Sequence, residues 1–245
     1  MTRGLTAAAV LALSVLFSAW PAGLVRADHG PHSYKAISGS VLAVLPTWPG
    51  YNRPGFGAPP GTAPEGTGFV IAAPGRAGQD SFYLLTAAHV VDRATRIEVF
   101  SPAGERSDVR LLATDPQTDL ALLELPYALP PVSLQQQTPE IGAHVCAAGN
   151  SFGLGISFSC GVVSATGRTD IGFNQREDFI QTDAAVNPGA SGGVLVNAAG
   201  EAVGLIDAIF TKSEDSDAGV NFAISAALIA RVLDKWAKQA DVFTP

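Results

Sequence analysis

The chain is expected to be all-β, a double six-stranded antiparallel β-barrel followed by one C-terminal α-helix. Three observations predict this. Short apolar runs rich in Val, Ile and Phe recur between Gly, Pro, Asp and Asn, the pattern of strands and turns. The runs fall into two groups of six, separated by a stretch carrying Pro126, Pro130, Pro131 and Pro139. A helical period occurs convincingly at one place only, close to the end.

Residues 1–27 read as a secretion signal: Arg3 supplies the positive start, 5–19 is apolar and Ala-rich, and Val25-Arg26-Ala27 offers small residues for cleavage. The apolar stretch is short for a membrane span, which needs about 20 residues, so a cleaved leader is favoured over an anchor. Residues 28–36, with His29 and His32, are expected to be an irregular mature N-terminus. The first barrel is placed at 37–125, with strands near 37–45, 68–72, 82–86, 96–100, 109–113 and 120–125. Between its first two strands, Pro46 to Glu65 is too rich in Pro and Gly for a central strand and reads as a long mobile loop. Trp48, Tyr51 and Phe56 in that loop are either a contact surface or packed on their own barrel. The linker is set at 126–139 and the second barrel at 140–224. Its strands are expected near 144–148, 157–166, 179–182, 194–196, 202–209 and 220–223. Glu214-Asp215-Ser216-Asp217 reads as a solvated acidic loop. Finally, Ser225 caps a helix over 226–239 with an apolar stripe of Leu228, Ile229, Val232, Leu233 and Trp236.

At 245 residues the chain can bury a sizeable core without relying on disulfides. Its net charge of −7 becomes more acidic once Arg3 and Arg26 leave with the leader, which argues against nucleic acid or an anionic membrane as partner. Cys146 and Cys160 lie symmetrically about Gly153, at what reads as a hairpin tip. In an exported protein that arrangement favours a disulfide; two buried thiols are the alternative. The expected location is the periplasm or outside the cell.

Three short stretches carry chemistry. Leu85-Thr86-Ala87-Ala88-His89-Val90 ends an apolar strand with a histidine. Thr118-Asp119-Leu120-Ala121 places a carboxylate at the head of another apolar run, and Asn187-Pro188-Gly189-Ala190-Ser191-Gly192-Gly193 sets a serine among glycines. A serine hydroxyl is a weak nucleophile near neutral pH and needs an adjacent base. Histidine titrates near pH 6.5 and can take and return that proton, while a carboxylate on its other nitrogen fixes the tautomer. Attack on an amide also creates an oxyanion needing preorganised donors, each worth about 3 kcal/mol of barrier. The N–H groups of Gly189 and Ser191 are assigned to that role, because Gly189 can adopt backbone conformations closed to other residues.

Each residue alone has a plainer reading: a satisfied histidine, a turn-capping aspartate, a turn serine. Their coincidence in the order His89, Asp119, Ser191, the chymotrypsin order, favours the triad. The Gly189-x-Ser191-x-Gly193 pattern formally matches a nucleophile elbow, but no histidine follows His144, as that fold requires. A subtilisin order using Asp80 fails because strands do not alternate with helices here. His144 is a weaker base candidate at a strand start.

These residues resemble the HtrA/Deg branch of the trypsin-like serine proteases, from about Ser40 to Val232. Beside the three stretches, Asp115-Pro116-x-Thr118-Asp119, Gly149-Asn150-Ser151-Phe152-Gly153-Leu154-Gly155, Thr182-Asp183-Ala184-Ala185-Val186 and Val220-Asn221-Phe222-Ala223-Ile224 carry the likeness. The resemblance implies a chymotrypsin-fold endopeptidase with no cofactor and no metal, acting on unfolded or damaged envelope polypeptides. It further implies Ala185, six residues before the serine, at the floor of the primary pocket, with Ile209 lining it. An apolar pocket preferring Val, Ala, Ile or Leu is therefore expected. The strand Ile206-Asp207-Ala208 is expected to pair with extended substrate backbone. The sequence departs from the family at Ala190 and Val194. It ends at Pro245 without room for a PDZ module, so peptide-triggered activation is not expected; nothing in the sequence supports a trimer. The rival readings are a protease-fold binding or chaperone-like module and a structural envelope protein.

Overall fold

The structure, a computed structural model, describes residues 29–58, 63–74, 80–135, 137–209, 219–239 and 242–243. The expected leader and the acidic stretch Glu214-Asp215-Ser216-Asp217 lie outside the described residues.

The first half contains α1 (His29–Ile37), β1 (Val41–Thr47), β2 (Gly66–Ile71), β3 (Ser81–Ala87), α2 (Ala88–Val91), β4 (Arg96–Phe100), β5 (Arg106–Asp108), β6 (Arg110–Asp115) and β7 (Leu120–Leu129). Its strands form one antiparallel sheet in the order β5-β4-β1-β2-β3-β7-β6. Only Val109 separates the two edge strands, and its N–H continues the ladder to Ile97 O at 3.0 Å. Residues 106–115 are thus one bent strand that pairs with β4 on one side and β7 on the other. That bend curls the sheet and joins its edges, the usual remedy for exposed strand edges.

The second half contains β8 (His144–Gly149), β9 (Ser157–Arg168), β10 (Phe179–Thr182), β11 (Val194–Val196), β12 (Ala202–Ile209), β13 (Asn221–Ser225) and α3 (Ala226–Ala237). Its six strands form a closed barrel, β10-β13-β12-β11-β8-β9. The two-residue period decides what faces inward. Val145 and Ala147 of β8 pack inside with Leu195, Val203 and Ile206, whereas Cys146 and Ala148 face outward. The outward set joins a larger core shared by the first barrel and α3. Ser225 caps α3 by accepting the Leu228 N–H at 3.1 Å, and Leu228, Ile229, Val232, Leu233 and Trp236 are all buried. Each such side chain contributes about 1.5–3 kcal/mol when fully buried. Cys146 and Cys160 are register partners on β8 and β9 and are joined by a disulfide, with Cα atoms 4.0 Å apart.

Several expectations are corrected. The N-terminus is not irregular: His29–Ile37 forms α1, and the first strand starts only at Val41. Pro31 is tolerated because it lies in the first helical turn, where an N–H has no intrahelical partner. The helix docks through buried Ser33, whose hydroxyl donates to Asn197 O at 3.0 Å. Trp48 is buried, while Tyr51 and Phe56 are exposed. The strand β7 runs on through Pro126 to Leu129, into the stretch read as linker. The rest of that stretch is clasped by both halves. Val132 N donates to Val70 O at 2.8 Å, Ala202 N to Ser133 O at 2.8 Å, and Gln135 N to Ala202 O at 2.9 Å.

Candidate active site

His89 sits in the first turn of α2, directly after β3. The residue preceding that helix, Ala87, offers no side-chain cap, so the first amides need acceptors from elsewhere. Asp119 supplies them: its carbonyl accepts Ala88 N at 2.9 Å and its Oδ1 accepts His89 N at 2.8 Å. Its Oδ2 meets His89 Nδ1 at 2.5 Å. One residue therefore fixes both the backbone and the ring of the histidine. The carboxylate accepts at Nδ1, so the hydrogen resides there and Nε2 keeps its lone pair. Asp119 adopts φ +56°, which Asp tolerates better than most side chains. The turn before it is held by Asp115, which accepts Gln117 N at 3.2 Å through its carboxylate and Thr118 N at 3.1 Å through its carbonyl. Lys235 of α3 donates to Asp115 at 2.8 Å, tying this turn to the second half.

Burial pulls the His89 pKa down, but the hydrogen bond and charge of Asp119, with Asp207 behind it, leave it above the ordinary histidine value. Burial pushes Asp119 up, yet its bonds and charge interaction with His89, a hydrogen bond from Asp207 and the His89 amide bring it below the usual carboxylate value. The ring edge of His89 remains open to solvent, its side chain 41% exposed against 12% for Asp119.

Ser191 lies between β10 and β11 on a turn built from backbone. Gly192 N donates to Ile206 O at 2.7 Å, Ile206 N to Gly193 O at 2.8 Å, and Thr67 N to Ser191 O at 2.9 Å. Gly192, at φ +84°, has no room for a methyl group: a Cβ there would strike Thr67 O, Thr86 Oγ1 and Ala87 N. The two halves meet here backbone to backbone. The Ser191 hydroxyl donates to the Asp207 carbonyl at 3.2 Å rather than to His89. The Asp207 carboxyl in turn lies with His89 and Asp119 in a cluster whose ligating atoms are within 4.8 Å of one another. The three sequence-distant residues thus gather around one position on β12.

Gly189 has φ +96°, and a Cβ there would collide with Asn150 O. The Pro188 carbonyl accepts Phe152 N at 2.7 Å. Across the same planar trans peptide, the Gly189 N–H points the opposite way. Among the described residues, neither the Gly189 nor the Ser191 N–H donates a hydrogen bond. Ala185 is exposed, its carbonyl accepting the Ser159 hydroxyl at 2.5 Å. The backbone of β12 carries Ile206, Asp207, Ala208 and Ile209; the last two side chains lie outside the described residues. His144 is exposed beside the disulfide and does not join this cluster.

Sequence reasoning missed three contributors and the side-chain part of a fourth. Thr67 Oγ1 donates to Gly189 O at 2.7 Å and accepts Asn150 N at 2.8 Å, so one buried hydroxyl joins β2 to both turns beside Ser191. Thr86 Oγ1 donates to Thr67 O at 2.6 Å, and Asn174 Nδ2 donates to Asp207 Oδ2 at 2.7 Å. Asp207 was read for its backbone alone. For Thr67 a signal existed: glycines on both sides, Gly66 and Gly68, mark a strand approached closely by another backbone.

This architecture and site place the chain among the chymotrypsin-like folds with a His-Asp-Ser arrangement. The family profile "Trypsin-like peptidase domain" matches residues 66–205, and the chain belongs to that family. Its relatives are of the HtrA type. It is 36% identical over 180 residues to the periplasmic serine endoprotease DegP of Escherichia coli K12, covering 72% of this chain and 36% of that protein. With the serine endoprotease DegS of Salmonella typhimurium it shares 39% over 158 residues, covering 62% and 44%. A variant of the HtrA-type protease AlgW with a tripeptide superposes with TM-score 0.74 at 33% identity, covering 86% of this chain and 64% of that one. The chain therefore spans less than half the length of these curated relatives.

Proposed function

We propose that the protein is an exported serine endopeptidase in which Ser191 attacks a peptide carbonyl and His89 takes its proton. Asp119 keeps His89 in the tautomer whose Nε2 faces the nucleophile, and the Gly189 and Ser191 N–H groups receive the developing oxyanion. The observation that carries this reading is the His89 ring held at 2.5 Å by Asp119, with the Ser191 hydroxyl bonded to the backbone carbonyl of Asp207, whose carboxyl lies within 4.8 Å of both the ring and the Asp119 carboxylate. The outward-turned Pro188 carbonyl favours a formed oxyanion site, since it leaves the Gly189 N–H free.

Substrate is read as extended, unfolded polypeptide. Beyond Ile206 the edge of β12 on the Ser191 side has no partner strand among the described residues, so a peptide can add there by main-chain hydrogen bonds. Alanine at 185 offers no charge for Lys or Arg, which favours small or aliphatic residues on the acyl side of the cut. The HtrA relatives named periplasmic and the expected leader support an envelope location.

A fluorophosphonate probe tests the reading: it should label Ser191 in the wild type and leave Ser191→Ala unlabelled, with casein cleaved by the first alone. A second reading, a binding module whose site is unformed at rest, draws on the Ser191 hydroxyl being directed to Asp207 O instead of His89. Absence of labelling across pH 6–9 would establish that alternative instead.

A further inference from the structure

Asp207 stands out because the triad already has its carboxylate. It is buried to 6% exposure in a strand, where an acid is rarely placed without a partner. It is also the extra residue of a β-bulge: Ile206 pairs with Ala223 and Ala208 with Phe222, leaving Asp207 with no register partner on β13. Bulges beside active sites re-aim a side chain, and this one sends a carboxyl toward Asp119 and His89.

Two buried carboxyls this close cannot both be ionised at modest cost, so they share a proton. Asn174 Nδ2 donates to Asp207 Oδ2 at 2.7 Å, which marks Oδ2 as an acceptor and leaves Oδ1 to carry the hydrogen. Asn174 is itself fixed. Glu177 accepts the backbone N–H groups of Ile171, Gly172, Phe173 and Asn174 at 2.7 to 3.1 Å, holding that loop in place. Arg176 N donates to Gln117 O at 2.8 Å, tying the same loop to the turn that presents Asp119.

We propose that Asp207 is a positioning residue that works as a neutral acid, donating its hydrogen bond to the Asp119 carboxylate so that Asp119 stays fixed on His89. The inference rests on the triad reading above and adds an alkaline limit to it. Burial first, then the charge of Asp119 and the hydrogen bond to it, push the Asp207 pKa up to about 8. The ionisable groups facing it are Asp119 and His89. On the packed neighbours, β11 and β13 carry none, Tyr83 of β3 stacks edge-on against Phe243, Arg231 and Lys235 of α3 pair with Asp178 and Asp115, and Asp234 of α3 and Arg176 of the Asn174 loop are exposed. Among the described residues, the one cation acting on an ionised Asp207 is the His89 imidazolium, and an imidazolium cannot accept the Ser191 proton. Raising the pH through the Asp207 titration removes the donor and sets two anions face to face, so proteolysis declines.

The test is the pH dependence of kcat/KM for wild type, Asp207→Asn and Asp207→Ala on one peptide substrate. Asparagine mimics the protonated acid, offering an N–H to Asp119 and an oxygen to Asn174. The wild type should give a bell with its alkaline limb near pH 8. Asp207→Asn should stay within about threefold of wild type at pH 7 and remain flat to pH 10, with the acid limb unchanged. Asp207→Ala should lose about tenfold or more in kcat with KM changed less than twofold. An alkaline limb in Asp207→Asn at the wild-type position, or Asp207→Asn as impaired as Asp207→Ala, overturns the proposal. If neither variant folds, a wild-type profile flat from pH 7 to 10 overturns it and an alkaline fall supports it. A wild type that neither cleaves nor takes the fluorophosphonate instead defeats the triad reading, so the two failures are separable.

Discussion

The two halves contribute to the candidate site in opposite ways. The first barrel supplies side-chain chemistry, and one acidic residue, Asp119, fixes His89 through three hydrogen bonds of 2.5 to 2.9 Å, two from its carboxylate and one from its carbonyl. The second barrel, beside the Ser191 hydroxyl and the Asp207 carboxyl, supplies backbone: glycines at φ +96° and +84°, amides without acceptors among the described residues, and a strand edge. Ionic hydrogen bonds are strong and titrate; backbone geometry does not titrate but tolerates no added atoms. The first half should therefore be sensitive to pH and to charge-changing substitutions; the second, apart from the Ser191 hydroxyl and the Asp207 carboxyl, should be sensitive to bulk.

The harshest way to break this comparison is Ser191→Ala, expected to lower kcat about a million-fold, read from casein turnover. Asp119→Asn comes next. It leaves shape intact but permits the wrong histidine tautomer, and kcat should fall about 10⁴-fold with the folded structure retained by circular dichroism. Thr67→Val removes a buried hydroxyl serving two backbone groups, Gly189 O and Asn150 N. Leaving them unpaired should cost about 1–3 kcal/mol each, seen as a lower urea midpoint together with weaker fluorophosphonate labelling. Loss of stability with labelling unchanged would separate the seam from the oxyanion turn.

A pH titration sharpens the contrast further. The folded pKa of His89 is raised, so activity should fall on acidification from a midpoint above the ordinary 6.5, measured from the acid limb of kcat/KM. By linkage, the stability this histidine contributes is full below its unfolded pKa and lost as pH rises through the folded one. Asp119 runs the other way: its depressed pKa gives stability present above about 3.8 and lost as pH falls below it. The smallest effect is expected from Ser225→Ala, which removes the cap of α3 and the hydroxyl's bond to Asp178 Oδ2, both away from the candidate site. It should cost about 1 kcal/mol by thermal denaturation and leave kcat unchanged.

Much of this was legible in the sequence, because periodicity and punctuation are local. The alternation in Val145-Cys146-Ala147-Ala148, the cap at Ser225 and the glycine-flanked serine each announce themselves within a few residues. The bent strand 106–115 did not, because Arg106–Asp108 is short and polar and draws its pairing from β4. The helix α1 was hidden by Gly30 and Pro31, and tertiary docking of Ser33 and Ile37 outweighs their low propensity. Asp207 was legible as a strand residue and illegible as an acid partner. A bulge depends on the register of two strands, and only the folded pairing exposes it.

The clasped connector has a consequence for access. Val132 is bonded to β2 while Ser133 and Gln135 are bonded to β12, so swinging the barrels apart would tear main-chain hydrogen bonds on both flanks at once. On the proposed peptidase reading, a polypeptide would then enter by loop rearrangement at the rim rather than by hinge motion. On that reading a compact client would have no jaw to open, and only a chain already threadlike would fit along the free edge of β12.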